Sequence, residues 1–380
     1  MNKYNINLQR TSHLSLKPGG QSRKQIAVLM SGGVDSSTTA YLLKQQGWDV
    51  FGVTMKVPLS TNVGKRTCCG TDAAFVCEQL AIPHYFADVT EAFEDIIIEP
   101  FRQSYARGQT PNPCADCNSM LKFSLLWDLL REKFAVTYLA TGHYARICKL
   151  GPKGTDKGFR LGKAKDDAKD QSYFLYGTPL DKLANLVLPL GEFTKEEVRA
   201  IAADANLPVA EKSESMELCF AGEGDYRAVL TDAAFNKPGD ITDMQGNKIA
   251  EHKGIANFTL GQRRGVGFAG GKPLYVGRIN AEKNTIALGT RDEVSCRTVT
   301  ANRLNILIPE ELAAGAQFFG KIRSYNELHP CKLTEISKDA MTAEFDLPQF
   351  APCPGQRLVL YNSDGYIAAG GTIVTALGEK

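Results

Sequence analysis

The feature that most narrows the fold is a glycine-rich string, Ser31-Gly32-Gly33-Val34-Asp35-Ser36-Ser37. It lies between an apolar run at 26–30 and a helix-like stretch at 36–46. Gly47 sits where a helix C-terminal glycine belongs, and 49–55 reads as a second strand. Strand, helix and strand within about 30 residues form a βαβ unit, the seed of a parallel α/β sheet. Glycines at this turn let the backbone approach a ligand, and N–H groups at a helix start face an anion. The serine hydroxyls add donors, so the string suits a phosphate or pyrophosphate. No Walker-type lysine follows the glycines, which argues against an ordinary phosphoryl-transfer loop. Asp35 would repel phosphate unless Mg²⁺ lay between them, so a metal-bound nucleotide is expected. The plainer reading, a tight turn with Ser as N-cap, suits a lone Ser-Gly-Gly better than the full string.

The alternation continues, with helices expected over 73–80 and 121–134 and strands over 83–86 and 137–140. A further helix over 195–205 follows Thr194 as N-cap, with Glu197 three residues on. After about residue 235 the segments become short and glycine-rich. Residues 275–279 and 285–288 flank a polar turn, as in a hairpin. From 317 to 376 several β-rich runs, with a turn at Asn362-Ser363-Asp364-Gly365, indicate a small barrel. The expected architecture is an α/β parallel-sheet domain at 25–228, a small central domain at 229–295 and a C-terminal β-barrel at 296–380. A chain of 380 residues fits two or three domains. The first 24 residues carry Lys3, Arg10, Lys17, Arg23 and Lys24 without an acid, and read as a disordered basic tail. A transit peptide is the second reading, which would move the protein from cytoplasm to mitochondrion.

A net charge of +2 means that any polyanion must be held by local patches. One candidate is 251–280, where Lys253, Arg263, Arg264, Lys272 and Arg278 face only Glu251; a solvated charged face is the alternative. No apolar stretch approaches the roughly 18–20 residues of a membrane span. Ten cysteines are too few for a disulfide scaffold. Without a secretory signal ahead of them a reducing cytosol is expected, where clustered cysteines serve catalysis or metal binding. Cys114 and Cys117 form a C-x-x-C ahead of Lys122 and a helix, where the dipole and the lysine would favour a thiolate. Cys114 is equally well a small packed residue, and a lone cysteine such as Cys219 is more often core than catalytic. The pair Cys68-Cys69 is a buried pair or a zinc fragment, with no role assigned. His143 reads as a polar residue after a strand end.

The string at 31–37 resembles the pyrophosphate loop of ATP pyrophosphatases, which adenylate a substrate oxygen on a Rossmann-like, adenine nucleotide α-hydrolase-like domain. Four further stretches select a branch: Thr110-Pro111-Asn112-Pro113-Cys114-Ala115-Asp116-Cys117-Asn118, Thr141 to Ala145, Lys169 to Leu175 and Glu217 to Phe220. With Phe258 to Gly265 and Pro273 to Ile279, they resemble the tRNA-specific 2-thiouridylases from about residue 25 to the end. The resemblance implies ATP and Mg²⁺ as cofactors, with Leu29, Met30, Ser31, Gly32, Gly33, Val34, Asp35, Ser36, Met55 and Gly142 at the nucleotide. It implies Cys117 as nucleophile and Cys219 as persulfide carrier. Asn112, Pro113, Cys114, Lys169, Asp170, Gln171, Arg323 and Ser324 would meet tRNA or its base. It further implies tRNA and an upstream sulfur-donor protein as partners of a cytoplasmic monomer. One departure stands out: the family pattern has Asn-Pro-Asp where this chain has Asn112-Pro113-Cys114. Cys114, Cys117 and Cys219 together would also supply three thiolates to an iron–sulfur cluster. The rival functions are a cluster-dependent thiolating synthetase and a nucleotide-gated RNA-binding protein with a zinc C-x-x-C.

Overall fold

The protein is described from a computed structural model, over residues 3–16, 24–58, 69–150, 158–213, 218–221, 226–230, 236–268 and 271–374. Its chain forms two compact units, residues 1–96 with 116–223, and 97–115 with 224–380.

The first unit holds a six-stranded sheet. Its elements are β1 (Asn7–Arg10), β2 (Gln25–Leu29), α1 (Val34–Gln45), β3 (Asp49–Lys56), α2 (Cys69–Gln79), β4 (His84–Asp88) and α3 (Thr90–Phe93). The second unit then contributes α4 (Glu99–Ala106), and α5 (Pro113–Asp116) leads the chain back. Next come a π-helix over Cys117–Leu126, α6 (Trp127–Phe134), β5 (Tyr138–Ala140), the ribbon β6 (Arg146–Lys149) and β7 (Phe159–Gly162), β8 (Leu186–Val187) and α7 (Lys195–Asp204). The strand order is β1-β4-β3-β2-β5-β8, parallel throughout except for β1. Ile26, Ala27 and Val28 are fully buried, as a central parallel strand covered on both faces requires. α1 is a helix despite its Ser/Thr run because Ser37, Thr38 and Thr39 each return a hydroxyl to the carbonyl four residues back. It stops at Gly47, whose φ of 84° needs no Cβ; Gly47 and Trp48 donate to Lys44 and Leu43, closing a Schellman turn.

β1 corrects the reading of residues 1–24 as a disordered tail, since Asn7–Arg10 pairs antiparallel with β4. Its sequence, Asn-Leu-Gln-Arg, has no apolar alternation because it is an exposed edge strand, so nothing local announced it. The helix expected over 121–134 starts earlier, as a π-helix at Cys117, and ends at Ala135 with φ 53°. Thr194 caps α7 in a full capping box with Glu197.

The second unit is β-rich. β9 (Gly239–Asp243), β10 (Lys248–His252), β11 (Tyr275–Asn280) and β12 (Thr285–Gly289) form a sheet in the order β10-β9-β12-β11, and the expected hairpin is β11–β12. β13 (Ser295–Ile306), β14 (Gln317–Lys321), β15 (His329–Ile336), β16 (Ala340–Phe350), β17 (Arg357–Tyr361) and β18 (Ile367–Ile373) close into the expected barrel. α4 is held within this unit by its aromatic side chains: Tyr105 stacks on Tyr226 at 5.2 Å and Phe101 meets the same ring edge-on. Arg102 Nε donates to the Val229 carbonyl at 2.9 Å. Among the described residues no helix is long and apolar enough to cross a membrane.

Candidate functional site

The glycine-rich string leaves the carboxyl end of β2, the strand flanked by β3 and β5. The chain runs from β2 through β3 to β4 on one side and returns to place β5 on the other. The string therefore sits at a switch point, where open α/β sheets bind ligands. Gly32 has φ 71°, open to glycine and strained for other residues. Ser36 ties the turn together: its Oγ accepts from the Ser31 amide at 3.1 Å and lies 3.2 Å from both Ser31 Oγ and the Gly33 carbonyl. Gly142, just after β5, packs so close that a Cβ there would meet the Asp35 carbonyl carbon and the Ser36 nitrogen at 2.8 Å. Met55 lies half-buried near the end of β3. The string, Met55 and Gly142 thus share one edge of the sheet.

The Asp35 carboxylate is compensated by protein. Lys195 Nζ donates to its two oxygens at 2.7 and 2.9 Å, and Tyr144 Oη donates to Oδ1 at 2.9 Å. The expectation that Asp35 needs Mg²⁺ to face a phosphate therefore gives way to a salt bridge from a lysine 5% exposed. Oδ1 of Asp35 accepts two of these hydrogen bonds and Oδ2 one. The charge of Asp35 thus already has a protein partner, and among the described residues no group of three His, Cys, Asp or Glu is arranged for a metal.

Lys195 and Lys212 carried no expectation in the sequence, and Tyr144 stood in the stretch 141–145 without a role of its own. Lys212 Nζ donates to the Gly32 carbonyl at 3.0 Å and pairs with Asp72 at 2.5 Å. Lys195 did leave one signal. It is the first residue of α7, where a cation opposes the helix dipole, so something else must want its charge there. Gln171 holds Tyr144 in place, donating its amide to the Tyr144 carbonyl at 2.7 Å and accepting the Tyr144 amide at 3.0 Å. Asp170 accepts from Ala164, Ser172 N and Ser172 Oγ. The structure thus gives the side chains of Asp170 and Gln171 work in shaping this loop, while Lys169 beside them is half-buried.

The segments that carry the two candidate cysteines of the first unit both touch α3. Cys117 opens the π-helix that packs on α3, and Phe220, next to Cys219, meets Phe93 of α3 at 5.8 Å. Cys219 is exposed and Cys117 is 7% exposed, both as thiols; Glu217 lies outside the described residues. A thiolate-favouring site was expected at Cys117. Instead burial pushes its pKa up, with Lys122 opposing and Asp116 adding to the rise. The dipole argument fails because a thiol removed from water loses more than one helix end returns. Lys122 is fixed by Asn118 Oδ1 at 2.8 Å, and Asn118 in turn donates to the Phe174 carbonyl. Burial, with Lys122 nearby, lowers His143 to about 3, so it stays neutral, and Thr141 Oγ1 lies 2.7 Å from its Nδ1. Cys77 and Cys331 are pushed up to about 12 by burial, as core cysteines should be. Cys68 and the Cys69 side chain lie outside what the structure describes.

In the second unit, Asn112 caps α5, its Oδ1 accepting from the Ala115 amide at 3.1 Å. Pro113 is buried and Cys114 is exposed. The preceding backbone is fastened to the barrel. Gln356 Nε2 donates to the Thr110 and Pro111 carbonyls at 3.0 and 3.1 Å, and Thr110 donates to the Pro354 carbonyl. Arg323 is committed to two carbonyls, Leu260 and Ala351, each at 2.8 Å, and so fixes the 258–265 loop. Ser324 is half-buried beside the exposed Tyr325. Arg263 and Arg264 project from that loop into solvent, as do Lys253, Lys272 and Arg278, whereas Glu251 is paired with Lys248. The five cations expected at 251–280 are thus each exposed, and the one acid of that stretch is paired outside it.

Residues 24–223 match the family model described as tRNA methyl transferase HUP domain. Residues 227–290 match the tRNA methyl transferase PRC-barrel domain and 296–374 the aminomethyltransferase beta-barrel domain. The chain is 40% identical over 365 residues to a tRNA-specific 2-thiouridylase of Lachnoclostridium phytofermentans, covering 92% of this chain and 99% of the relative. It is 40% identical over 360 residues to that of Pelotomaculum thermopropionicum, covering 92% and 97%. For Carboxydothermus hydrogenoformans the identity is 41% over 368 residues, covering 92% and 98%. The two sets of names differ in the group transferred, and the relatives match over nearly their whole length.

Proposed function

Because the chain belongs to the family of tRNA-specific 2-thiouridylases, we propose that it replaces the C2 oxygen of the wobble uridine of tRNA by sulfur, using ATP and a cysteine persulfide. The uracil C2 oxygen attacks the α-phosphorus of ATP, the α–β bridging bond breaks, and pyrophosphate leaves. AMP on the oxygen is a far better leaving group than the oxide of an amide-like carbonyl. The terminal sulfur of a Cys219 persulfide then attacks C2 and AMP departs. Cys117 attacks Sγ of Cys219, the sulfur–sulfur bond to the base breaks, and its electron pair stays on the C2 sulfur. The two cysteines are left as a disulfide, which an external dithiol reduces, and a sulfur-donor protein recharges Cys219. Bringing the base to these groups takes it out of the anticodon stack, at a cost of a few kcal/mol.

Each part of the chain has a task in this scheme. Residues 29–36, with Gly142 against the turn and Met55 along the same edge, hold the nucleotide. Burial keeps Cys117 protonated and so slow to form a disulfide prematurely, while the Lys122 ammonium steadies the thiolate when the proton leaves. Exposed Cys219 is accessible to a donor protein. The exposed cations at 253–278 suit phosphate contacts. The observation that carries the reading is a phosphate-ready loop, a buried Cys117 thiol and an exposed Cys219 thiol in one compact unit. Mg²⁺ enters as the companion of the ATP phosphates, while Asp35 already has a counter-charge in Lys195.

The test uses unmodified tRNA, ATP–Mg²⁺ and a persulfide donor, followed by nucleoside mass spectrometry of wild type and three single variants. Cys117→Ser and Cys219→Ser should eliminate 2-thiouridine, and Cys114→Ser should retain measurable turnover, because Cys114 occupies the place of a carboxylate in the family pattern. A dead Cys114→Ser protein together with iron at cluster stoichiometry after anaerobic purification would overturn the persulfide relay.

A further inference from the structure

The pyrophosphate loop carries a carboxylate where an anionic ligand is to bind, and the fold answers that charge from a distance. Lys195 comes from 160 residues down the chain. It is almost wholly buried, spans both Asp35 oxygens and lies 5.6 Å over the Tyr144 ring, while Tyr144 donates to the same carboxylate. The backbone fixes its origin as well: the Lys195 amide donates to Asp166 Oδ2 at 3.0 Å, and the capping box sets the first turn of α7. A lysine held this firmly is a permanent part of the loop's charge. It stands where the sequence, lacking a lysine after the glycines, called for a metal ion.

We propose that Lys195 is a positioning residue for the nucleotide: by neutralising Asp35 it allows the loop to take the polyphosphate of ATP without a metal ion bridging to that carboxylate. The proposal rests on the assignment of the loop as the nucleotide site. It differs from that assignment in what it predicts about metal dependence. With the salt bridge intact, the carboxylate presents little net charge to a phosphate several ångströms away. Without Lys195 the same carboxylate repels it, and only a divalent cation can offset the repulsion.

The experiment is calorimetric titration of α,β-methylene-ATP into the full chain, in Mg²⁺ and in EDTA. Wild type should bind in EDTA within about tenfold of its affinity in Mg²⁺. Lys195→Met should lose a further tenfold or more in EDTA, on the order of a single uncompensated charge, and less in Mg²⁺. Asp35→Asn placed in the Lys195→Met background should restore binding in EDTA, and Lys195→Arg should stay near wild type. A purely structural lysine would be rescued by Arg but not by Asn at position 35. Should Lys195→Met not fold, the double variant, which leaves no orphan charge, must still bind in EDTA about as well as wild type. Equal binding by Lys195→Met and wild type in EDTA, a double variant without EDTA binding, or a wild type needing Mg²⁺ by more than about a hundredfold would each overturn the proposal. A wild type that binds in neither condition would instead overturn the nucleotide site itself.

Discussion

His84 shows how much of the first unit is decided by single side chains. It has no exposed surface, and both ring nitrogens are in use. Thr54 Oγ1 donates to the Met30 carbonyl at 2.9 Å, so it must accept from His84 Nε2–H, also at 2.9 Å. Nδ1 then accepts from Thr11 Oγ1 at 2.6 Å, which fixes one neutral tautomer. The chain of bonds runs from the residue before Ser31, across β3 and β4, to the segment after β1. Burial lowers the His84 pKa to about 4. An unfolded histidine titrates near 6.5, so the unfolded chain takes up this proton first as pH falls. The stabilisation is complete above about pH 6.5 and is lost on the way down to about pH 4, amounting to about 2 kcal/mol between pH 7 and 5. Denaturant unfolding of the first unit should show that loss, and His84→Gln should shrink it. A loss unchanged in His84→Gln would assign it to other groups. Thr11 and His84 were unremarkable in the sequence because their partnership is tertiary.

At the scale of elements, the segment carrying Asn112 to Cys114 takes its shape from the barrel. Gln356 bonds two successive carbonyls of the segment, and Gly355, at φ 94°, leaves no room for a Cβ, which would stand 2.9 Å from the Thr110 oxygen. Losing two bonds at about 1 kcal/mol each should loosen the segment selectively. Gln356→Ala should therefore speed amide exchange over 108–117 by about thirtyfold and slow thiolation, while the barrel strands stay protected. Unchanged exchange there would show that the barrel does not support the segment. The sequence showed the helices and the barrel strands through their periodicity and glycines. It could not show that 97–115 packs with the β-rich unit, because Tyr105 and Tyr226 meet only after folding. Nor could it show ten residues of π-helix at Cys117, which leave the 3.6-residue pattern without an obvious break.

For the whole molecule, the sequence was most legible where a backbone geometry demanded particular residues, as at Ser31 to Ser37, and least where distant charges meet. Asp35 alone pointed to a metal; Asp35 with Lys195 points to a loop that carries its own counter-charge. Arg323, expected at tRNA, also braces the loop from which Arg263 and Arg264 project, a task no local pattern announced. A phosphate-ready loop, the thiols of Cys117 and Cys219 and the exposed cations together amount to one claim, that a single chain couples ATP cleavage to sulfur delivery on tRNA. The most direct measurement is a single turnover of persulfide-charged wild type with ATP–Mg²⁺ and unmodified tRNA, without external reductant. AMP, pyrophosphate, 2-thiouridine and a Cys117–Cys219 disulfide should form in equimolar amounts. Thiolation without AMP, AMP without the disulfide, or sulfur on cytidine would contradict the account.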